Sequence, residues 1–334
     1  MRLEYIWLDG NDTPQLRSKT RFAPSIEQWN FDGGSTNQGD LKDSDRMLNP
    51  VRSYKDPFAE DGYLVLCEVC YHDGTPHESN FRSKLRGVNY PIVADPWLGL
   101  EQEVTFMHPV THQPLGLLLQ PEEQGQYYCG VGRQNAVGRD VMTEFEKRCD
   151  AAGIKLAGVN AEVMPGQWEW QTPPQEALVV SDNLWVSRYI LDRISEDMGV
   201  VVSYSPKPHP DYNGAGCHAN FSTRKMRDEL TDEMIEDLMK VMEEDHVDYL
   251  ASCGEGYADR MSGGYETSDW KTFTWGVGDR GASVRIPQKV KEDGVGYIED
   301  RRPCANIDPY VLLFSLLGSV NKSTLVVAAS LREP

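Results

Sequence analysis

Positive charge is scarce in this chain. Lysine and arginine total 33 residues against 52 aspartates and glutamates, which leaves a formal net charge of −19. A surface that binds nucleic acid or an anionic membrane needs a basic face, so this balance argues against both classes of partner. Long apolar runs are also missing, since no stretch approaches the roughly 18 residues that span a membrane. The N-terminus MRLEYIWLDG lacks the apolar core of a signal peptide, and we therefore expect a cytoplasmic protein.

Cysteine is sparse as well. The seven cysteines are scattered along 334 residues, so a disulfide framework is not expected. Cys67 and Cys70 have the CxxC spacing of redox and zinc sites, but no second pair completes a metal site. Because the surrounding segment YLVLCEVCY predicts a buried strand, we interpret the two thiols as core residues.

The pattern of the chain favours two domains. The first eighty or so residues predict short strands, with a long polar loop over residues 32–60. From about residue 85, strands alternate with helices. We predict an α+β fold with a small N-terminal domain over residues 1–82 and a larger domain over residues 83–334, the latter with a mostly antiparallel sheet. Capping signals and apolar periodicity predict helices over residues 138–152, 181–198 and 231–250 and from Asp308-Pro309 onward.

The stretch GVNAEVMPGQWEWQ, residues 158–171, predicts a β-hairpin. Pro165-Gly166 is a turn pair, because Pro fixes φ at the second position and Gly tolerates the left-handed third position. A turn over residues 164–167 makes Glu162 face Glu169 across the two strands. Directly opposed carboxylates repel. Either both lie on a solvated face, or a cation lies between them, and a hard divalent cation is the obvious choice.

Other acidic residues also occupy constrained positions. Glu101 and Glu103 are two apart on the predicted strand WLGLEQEVTFMH, so both point to one face. His218 lies in YNGAGCHANFST and Glu299 in GYIEDRRPCAN. Each of these residues alone has a structural explanation, as a packed histidine or an exposed glutamate. Together with the hairpin they supply five carboxylates and one imidazole, which predicts a two-cation site better suited to Mg²⁺ or Mn²⁺ than to Zn²⁺.

Arginines accompany the acidic segments in the last third of the chain. An acidic protein that combines guanidinium groups with a metal site is suited to binding a polyanion. Metal and arginine together indicate phosphoryl transfer. The arginines of this set are Arg260, Arg280, Arg285, Arg301 and Arg302.

At this point the chain resembles glutamine synthetases of the type II, eukaryotic-like class. The similarity extends from EYIWLDG to EDRRPCANIDPY and includes WNFDGGST, PWLGLEQEVTFM, QYYCGVG, GVNAEVMPGQWEWQ, NGAGCHANFST, GYETS, DRGASVRIP and GYIEDRRP, in order and correctly spaced. The resemblance implies an N-terminal β-grasp domain and a catalytic domain of the ATP-guanido-phosphotransferase-like fold. It also implies the ligation of ammonia to L-glutamate with ATP, through γ-glutamyl phosphate. In place of the histidine that usually precedes the flap glutamate, this chain has Tyr265.

The resemblance further implies a role for each site residue. It assigns one metal site to Glu103, Glu162 and Glu169 and another to Glu101, His218 and Glu299, for two or three Mg²⁺ or Mn²⁺ ions. It assigns the α-groups of glutamate to Asn213, Gly214, Arg260 and Arg301, and the charge on the transferring phosphoryl group to Arg280. The positions that match nucleotide contacts are Trp97, Asn220, Ser222, Arg227, Arg285 and Tyr297.

The residues assigned to ammonium lie far apart in the sequence. From local sequence alone, Asp32-Gly33-Gly34-Ser35 predicts a plain turn. The resemblance instead implies that Asp32, with Ser35 nearby, takes a proton from ammonium and that Glu266 is the carboxylate of a flap. It also implies active sites shared between adjacent subunits of a homo-oligomer, a decamer of two pentameric rings. Two alternatives remain open, a γ-glutamyl-amine ligase on the same fold and a non-catalytic, nitrogen-sensing relative.

Overall fold

The computed structural model describes residues 1–88, 94–117, 125–323 and 325. Within these residues, none of the helices is long and apolar enough to cross a membrane. The N-terminal strands are β1 (Arg2–Leu8), β2 (Leu16–Phe22), β3 (Trp29–Asp32), β4 (Asp45–Lys55) and β5 (Gly62–Cys70). They form one sheet in the order β2-β1-β5-β4-β3, in which β1 and β5 are parallel and the other pairs antiparallel.

The N-terminal sheet buries apolar side chains on both faces. Leu3, Tyr5 and Trp7 of β1 belong to a small core of the N-terminal sheet, whereas Ile6 of the same strand belongs to the main core. This alternation follows from the period of two along a strand. Cys67 and Cys70 are buried in β5, as predicted for core thiols.

The rest of the described chain alternates helices and strands. The elements are α1 (Phe81–Arg86), β6 (Trp97–Met107), α2 (Arg139–Ala152), β7 (Gly158–Ala161), β8 (Gln167–Gln171), α3 (Ala177–Met198), β9 (Val201–Ser203), β10 (Cys217–Ser222), α4 (Arg224–Asp228), α5 (Asp232–Glu244), α6 (His246–Leu250), α7 (Tyr257–Arg260), β11 (Trp275–Val277), β12 (Val284–Ile286), α8 (Gln288–Asp293), β13 (Ile298–Asp300) and α9 (Pro309–Val320). The second sheet has the order β11-β12-β13-β10-β6-β8-β7, with β9 paired to β6. All of its described pairs are antiparallel except β11 with β12, so the predicted α+β class and sheet type are confirmed.

Helix ends follow the capping signals in most cases. Gly153 ends α2 with φ 82°, and Asp308 caps α9 by accepting from the Tyr310 backbone N–H, as predicted. The N-cap of α3 predicted at Ser181 is wrong by five residues, because the residue in the cap position is Glu176. Ser181 lies inside the helix, where its Oγ donates to the Ala177 carbonyl at 2.8 Å rather than capping a free N–H.

Two further predictions need correction. The segment 32–60 is not a loop throughout, because it contains the eleven-residue strand β4 and a short 3₁₀ helix over Gly33–Thr36. The single helix predicted over residues 231–250 is divided into α5 and α6 at Asp245. The domain boundary predicted between residues 82 and 83 falls inside α1. The division into two domains stays a prediction.

Candidate active site

Strand β6 is the centre of the site. It pairs on one side with β10, which places His218 opposite Glu101, and on the other side with β8, which places Glu169 opposite Glu103. On β10, Asn220 pairs in turn with Glu299 of β13. Since directly opposed side chains lie about 5 Å apart, the register alone gathers these groups into one region of the sheet.

The hairpin brings Glu162 to the same region by a different register from the one predicted. The turn over residues 164–167 is present, with Gly166 at φ 71° and the Gln167 N–H donating to the Met164 carbonyl at 3.1 Å. However, Glu169 pairs with Asn160 and not with Glu162. The Glu162 N–H donates to the Gln167 carbonyl at 2.9 Å, which continues the same register past the end of β7 and leaves residues 163–166 as a four-residue loop. Because the shift is two residues, Glu162 keeps the predicted face.

Two groups of ligand-type side chains result. One contains Glu101, His218 and Glu299, and the other contains Glu103, Glu162 and Glu169; within each group one ligand atom per residue lies within 4.8 Å of the others. Both groups line a cavity of about 380 Å³. Glu266, Arg280, Arg285 and Arg301 line it too. The structure therefore brings together all six predicted metal ligands, the predicted flap carboxylate and three predicted arginines.

Burial and mutual repulsion suit the carboxylates of the second group to a cation. Burial, followed by the charges of the neighbouring Glu103 and Glu169 carboxylates, raises the pKa of Glu162 to about 9. Burial, followed by Glu101 and Glu103, raises the pKa of Glu169 to about 8. Burial also raises the pKa of Glu103 to about 7, against the opposing effect of Arg260. A divalent cation would favour the ionised form of all three.

Amide side chains that the sequence analysis missed orient these carboxylates. Asn160 Nδ2 donates to Glu162 Oε1 at 2.9 Å, and Gln171 Nε2 donates to Glu169 Oε1 at 2.7 Å. Both amides stand two residues from the carboxylate that they contact. That spacing on a strand was the available signal, because residues i and i+2 share a face.

The first group is held by guanidinium groups and amides. Arg285 Nη1 donates to Glu299 Oε2 at 2.6 Å, and Arg301 Nη1 donates to Glu299 Oε1 at 2.7 Å. Asn220 Nδ2 donates to Glu101 Oε1 at 2.7 Å. Burial, and then the charge of Arg301, holds the pKa of His218 well below its usual range. The ring is therefore neutral, which is the form that binds a metal.

Arg260 reaches this group because two glycines leave space for its side chain. Its Nη2 lies 3.0 Å from His218 Nε2, and its Nη1 donates to the Arg301 carbonyl at 3.1 Å. A Cβ on Gly216 would lie 2.5 Å from Arg260 Nη2, and one on Gly214 would lie 2.7 Å from Arg260 Cγ. The segment NGAG is glycine-rich because larger residues would displace the arginine. It also contains Asn213, so three of the four residues assigned to glutamate lie together beside Arg301.

The residues assigned to the nucleotide surround one end of β6 and β10. Ser222 pairs with Trp97 across the two strands, and the guanidinium carbon of Arg227 lies 4.2 Å from the Trp97 ring centroid. Arg227 Nη1 also donates to Ser222 Oγ at 3.0 Å. Burial raises the pKa of the Tyr297 phenol, and the charges of Glu101 and Glu299 contribute to the same shift. Trp97 and Tyr297 are 47% and 41% exposed, so both aromatic faces are accessible.

Asp32 and Ser35 are not brought to this cavity. The Asp32 carboxylate accepts from the Gly34 N–H at 3.0 Å and from Ser35 Oγ at 2.6 Å, and the Ser44 side chain of the N-terminal sheet region is a further partner. The Ser35 hydroxyl is the main cause that lowers the pKa of Asp32, which is exposed and ionised. The plain turn predicted from local sequence is therefore present.

Comparison with known proteins gives the family. The model of the glutamine synthetase catalytic domain matches residues 97–244. A glutamine synthetase nodule isozyme of Medicago sativa is 45% identical over 92% of this chain and 90% of its own length. Glutamine synthetase root isozyme A of Pisum sativum is 44% identical over 92% of this chain and 90% of its own length. Glutamine synthetase cytosolic isozyme 1-3 of Arabidopsis thaliana is 43% identical over 92% of this chain and 91% of its own length. This chain belongs to the glutamine synthetase family of ATP-dependent glutamate–ammonia ligases, in its type II, eukaryotic-like class.

Proposed function

We propose that this chain forms glutamine from L-glutamate and ammonium with ATP, using the cavity between β6, β8, β10 and β13 as its catalytic centre. The observation that carries the proposal is that cavity, because all six acidic and imidazole ligands share it with Arg280, Arg285 and Arg301. A carboxylate is a poor acyl donor to ammonia, so ATP must first convert it to an acyl phosphate. Several anions must then approach one another, and the arginines of the cavity, together with divalent cations when these are bound, would favour that approach.

The two ligand groups fit divalent cations. Five carboxylates and one neutral imidazole form the oxygen-rich donor set that Mg²⁺ and Mn²⁺ prefer. Glu103, Glu162 and Glu169 would hold one ion, and Glu101, His218 and Glu299 another, with two or three ions per site. When bound, these ions would screen the charge of the nucleotide phosphates and of the substrate carboxylate.

The chain's own cationic groups act on the two substrates. Arg280 would stabilise the negative charge that develops on the transferring phosphoryl group. Asn213, Gly214, Arg260 and Arg301 would hold the α-amino and α-carboxylate groups of glutamate, and Arg301 is well placed because it lines the cavity. This arrangement leaves the γ-carboxylate of glutamate directed toward the metal-ligand groups.

The nucleotide would lie along the open end of β6. Trp97 and Tyr297 offer exposed aromatic faces for a base, and Arg227 stacks under Trp97. Asn220, Ser222 and Arg285 supply hydrogen-bond donors between that end and the ligand groups. Trp97 at the aromatic end of β6 and Glu101 in the acidic group are four residues apart on the same strand, opposite Ser222 and His218 of β10.

The ammonium site needs Asp32, and we infer that a neighbouring subunit supplies it. Glu266 lines the cavity, but Asp32 and Ser35 are bonded within their own turn on the N-terminal sheet. A head-to-tail contact that carries Asp32 into the next subunit must close into a ring or it would polymerise. We propose a cyclic homo-oligomer, a decamer of two pentameric rings. We also propose a cytoplasmic location, in line with the cytosolic isozyme of Arabidopsis thaliana.

The test is phosphate release that depends on both glutamate and ammonium, with glutamine measured in parallel and Mg²⁺ compared with Mn²⁺. We expect one glutamine for each phosphate. If a polyamine or ethanolamine replaces ammonium with higher kcat/KM, the chain is a γ-glutamyl-amine ligase instead. If nucleotide and metal bind without any turnover, it is a non-catalytic relative.

A further inference from the structure

The loop that carries Glu266 holds a backbone conformation that its residues do not favour. Gly263 has φ 81°, and the adjacent non-glycine residues Tyr265 and Glu266 have φ 54° and 59°. Left-handed backbone is unfavourable for residues with a Cβ because the Cβ crowds the carbonyl oxygen. Two such residues in succession persist only where the surrounding structure holds them. The contacts that hold this loop therefore control where the Glu266 carboxylate lies.

The side of the loop that faces the site is fixed to the residues assigned to glutamate. Thr267 Oγ1 donates to the Arg260 carbonyl at 3.2 Å and to the Gly264 carbonyl at 2.7 Å. Arg301 Nη2 donates to the Glu266 carbonyl at 3.4 Å. These contacts hold the residues that flank the carboxylate, but none of them holds the tyrosine.

The outer side of the loop contacts a lysine. Lys207 Nζ lies 4.2 Å from the centroid of the Tyr265 ring, within the range of a cation–π interaction. The same ammonium donates to the carbonyl of Tyr212, a residue that is 1% exposed. Tyr265 is 43% exposed, and the contact described for its ring is the one with Lys207.

Lys207 belongs to a second loop that also contains substrate-binding residues. The Ala215 N–H donates to the Pro206 carbonyl at 2.9 Å and closes residues 206–215 into one loop. Asn213 and Gly214, both assigned to glutamate, lie in it. The lysine ammonium therefore bridges the loop that holds the substrate and the loop that carries Glu266.

We propose that Lys207 is a positioning residue, which keeps Glu266 over the cavity by holding the ring of Tyr265. This inference rests on the proposed function. Ammonia that attacks the acyl phosphate forms a C–N bond, breaks the C–O bond to phosphate, loses a proton and gives glutamine. Water that attacks instead forms a new C–O bond and returns glutamate and phosphate. A loop held over the cavity excludes water, so the lysine–tyrosine contact governs the choice between the two products.

The experiment measures glutamine formed per phosphate released at saturating glutamate. We expect Lys207→Met, which keeps the stem and removes the charge, to lower this ratio from about one to below about one half while the KM for glutamate changes less than about threefold. Tyr265→Leu removes the ring face and should lower the ratio equally, whereas the conservative Tyr265→Phe should restore it. The double variant should be no worse than either single variant. Lys271→Met is the matched control, because this exposed lysine lies 5.4 Å from the Trp270 ring.

Three outcomes would overturn the proposal. The first is a ratio that stays near one in Lys207→Met and Tyr265→Leu while only kcat falls, as a purely structural role would give. The second is additive loss in the double variant. The third is an equal loss of coupling in Lys271→Met. If Lys207→Met fails to fold, Tyr265→Leu still decides, since its ring is partly exposed. Failure of the parent protein to make glutamine would instead refute the proposed function, which separates the two ideas.

Discussion

Arg82 and Asp182 form a buried two-point ion pair, with Nε donating to Oδ1 at 2.8 Å and Nη2 donating to Oδ2 at 2.9 Å. Arg82 lies on α1 and Asp182 on α3, and Arg82 Nη1 also donates to Glu68 Oε1 of β5 at 2.8 Å. Arg52 of β4 reaches the same aspartate at 2.9 Å. These contacts tie the N-terminal sheet to the long helix behind the catalytic sheet.

We expect Arg82→Met to lower the free energy of unfolding by about 3 kcal/mol, because it leaves two buried carboxylates with weaker compensation. Urea unfolding measures this change. Arg86→Met is the matched control: Arg86 also contacts Glu68, but its side chain is 50% exposed, so we expect a loss below about 1 kcal/mol. Equal losses in the two variants would mean that burial of the pair does not determine its contribution.

The free energy of unfolding of the metal-free protein should fall as pH rises, whereas an acid paired with a base stabilises the fold as pH rises. The pKa values of Glu162 and Glu169 are raised to about 9 and about 8, chiefly by burial. Both groups titrate near about 4.3 when unfolded. Between these values the folded state binds more protons than the unfolded state, so the free energy of unfolding falls as pH rises from about 4.5 to about 9.

Thermal melts in EDTA should therefore give a lower melting temperature at about pH 8.5 than at about pH 6, by several degrees. Millimolar Mg²⁺ should raise the melting temperature more at the higher pH, since bound cations favour the ionised carboxylates. Glu162→Gln removes one of these acids and should flatten the EDTA profile. A metal-free protein that gains stability as pH rises would contradict this account.

Local signals predicted much of the fold, and the misses have physical causes. Gly153 and Asp308 marked helix ends correctly because caps are local chemistry. Strand β4 was missed because its polar residues and Pro50 resemble a loop, yet it pairs with strands on both sides. The proline is accommodated beside a register shift between Pro50 and Arg52. Tertiary pairing thus decided what local propensity could not.

The site was predictable to a similar degree. The period of two on β6 placed Glu101 and Glu103 on one face, and the hairpin placed Glu169 on a shared face with Glu162. The register at Glu162 was not predictable, because the Pro-Gly pair marks the turn but does not fix whether two or four residues lie in the loop. The sequence shows Tyr265 in place of the usual histidine but does not predict what its ring contacts. Its contact with Lys207 joins segments nearly sixty residues apart, which no local pattern encodes.

Glu266→Ala should leave nucleotide binding within about twofold of the parent but lower glutamine formation by about 100-fold or more. The reason is that Glu266 lines the cavity but lies on a loop outside the nucleotide end of β6. ATP binding by calorimetry and glutamine formation by chromatography measure the two quantities. Glu292→Ala, an exposed carboxylate on α8, is the control and should change neither. Unchanged turnover in Glu266→Ala would exclude the flap role.

The last prediction concerns the separation of Asp32 from the metal ligands. Asp32 ends β3 at the edge strand of the N-terminal sheet, and the described partners of its exposed carboxylate are Gly34, Ser35 and Ser44, all in residues 32–45. The ligand Glu162 lies on the hairpin of the catalytic sheet. If each active site combines Asp32 of one subunit with the ligands of the next, a subunit with a defective Asp32 and one with a defective Glu162 can form one intact site between them.

Mixing Asp32→Ala and Glu162→Ala under conditions that allow subunit exchange tests this arrangement. Each variant alone should be inactive, and hybrid rings should regain up to about a quarter of the parent activity, because about a quarter of random neighbours pair the two intact halves. Mixing Glu103→Ala with Glu162→Ala is the control. Those two ligands belong to one group, so their hybrids should stay inactive. If exchange is demonstrated by mass spectrometry and the first mixture also stays inactive, each subunit owns its complete site and Asp32 reaches the cavity within its own chain.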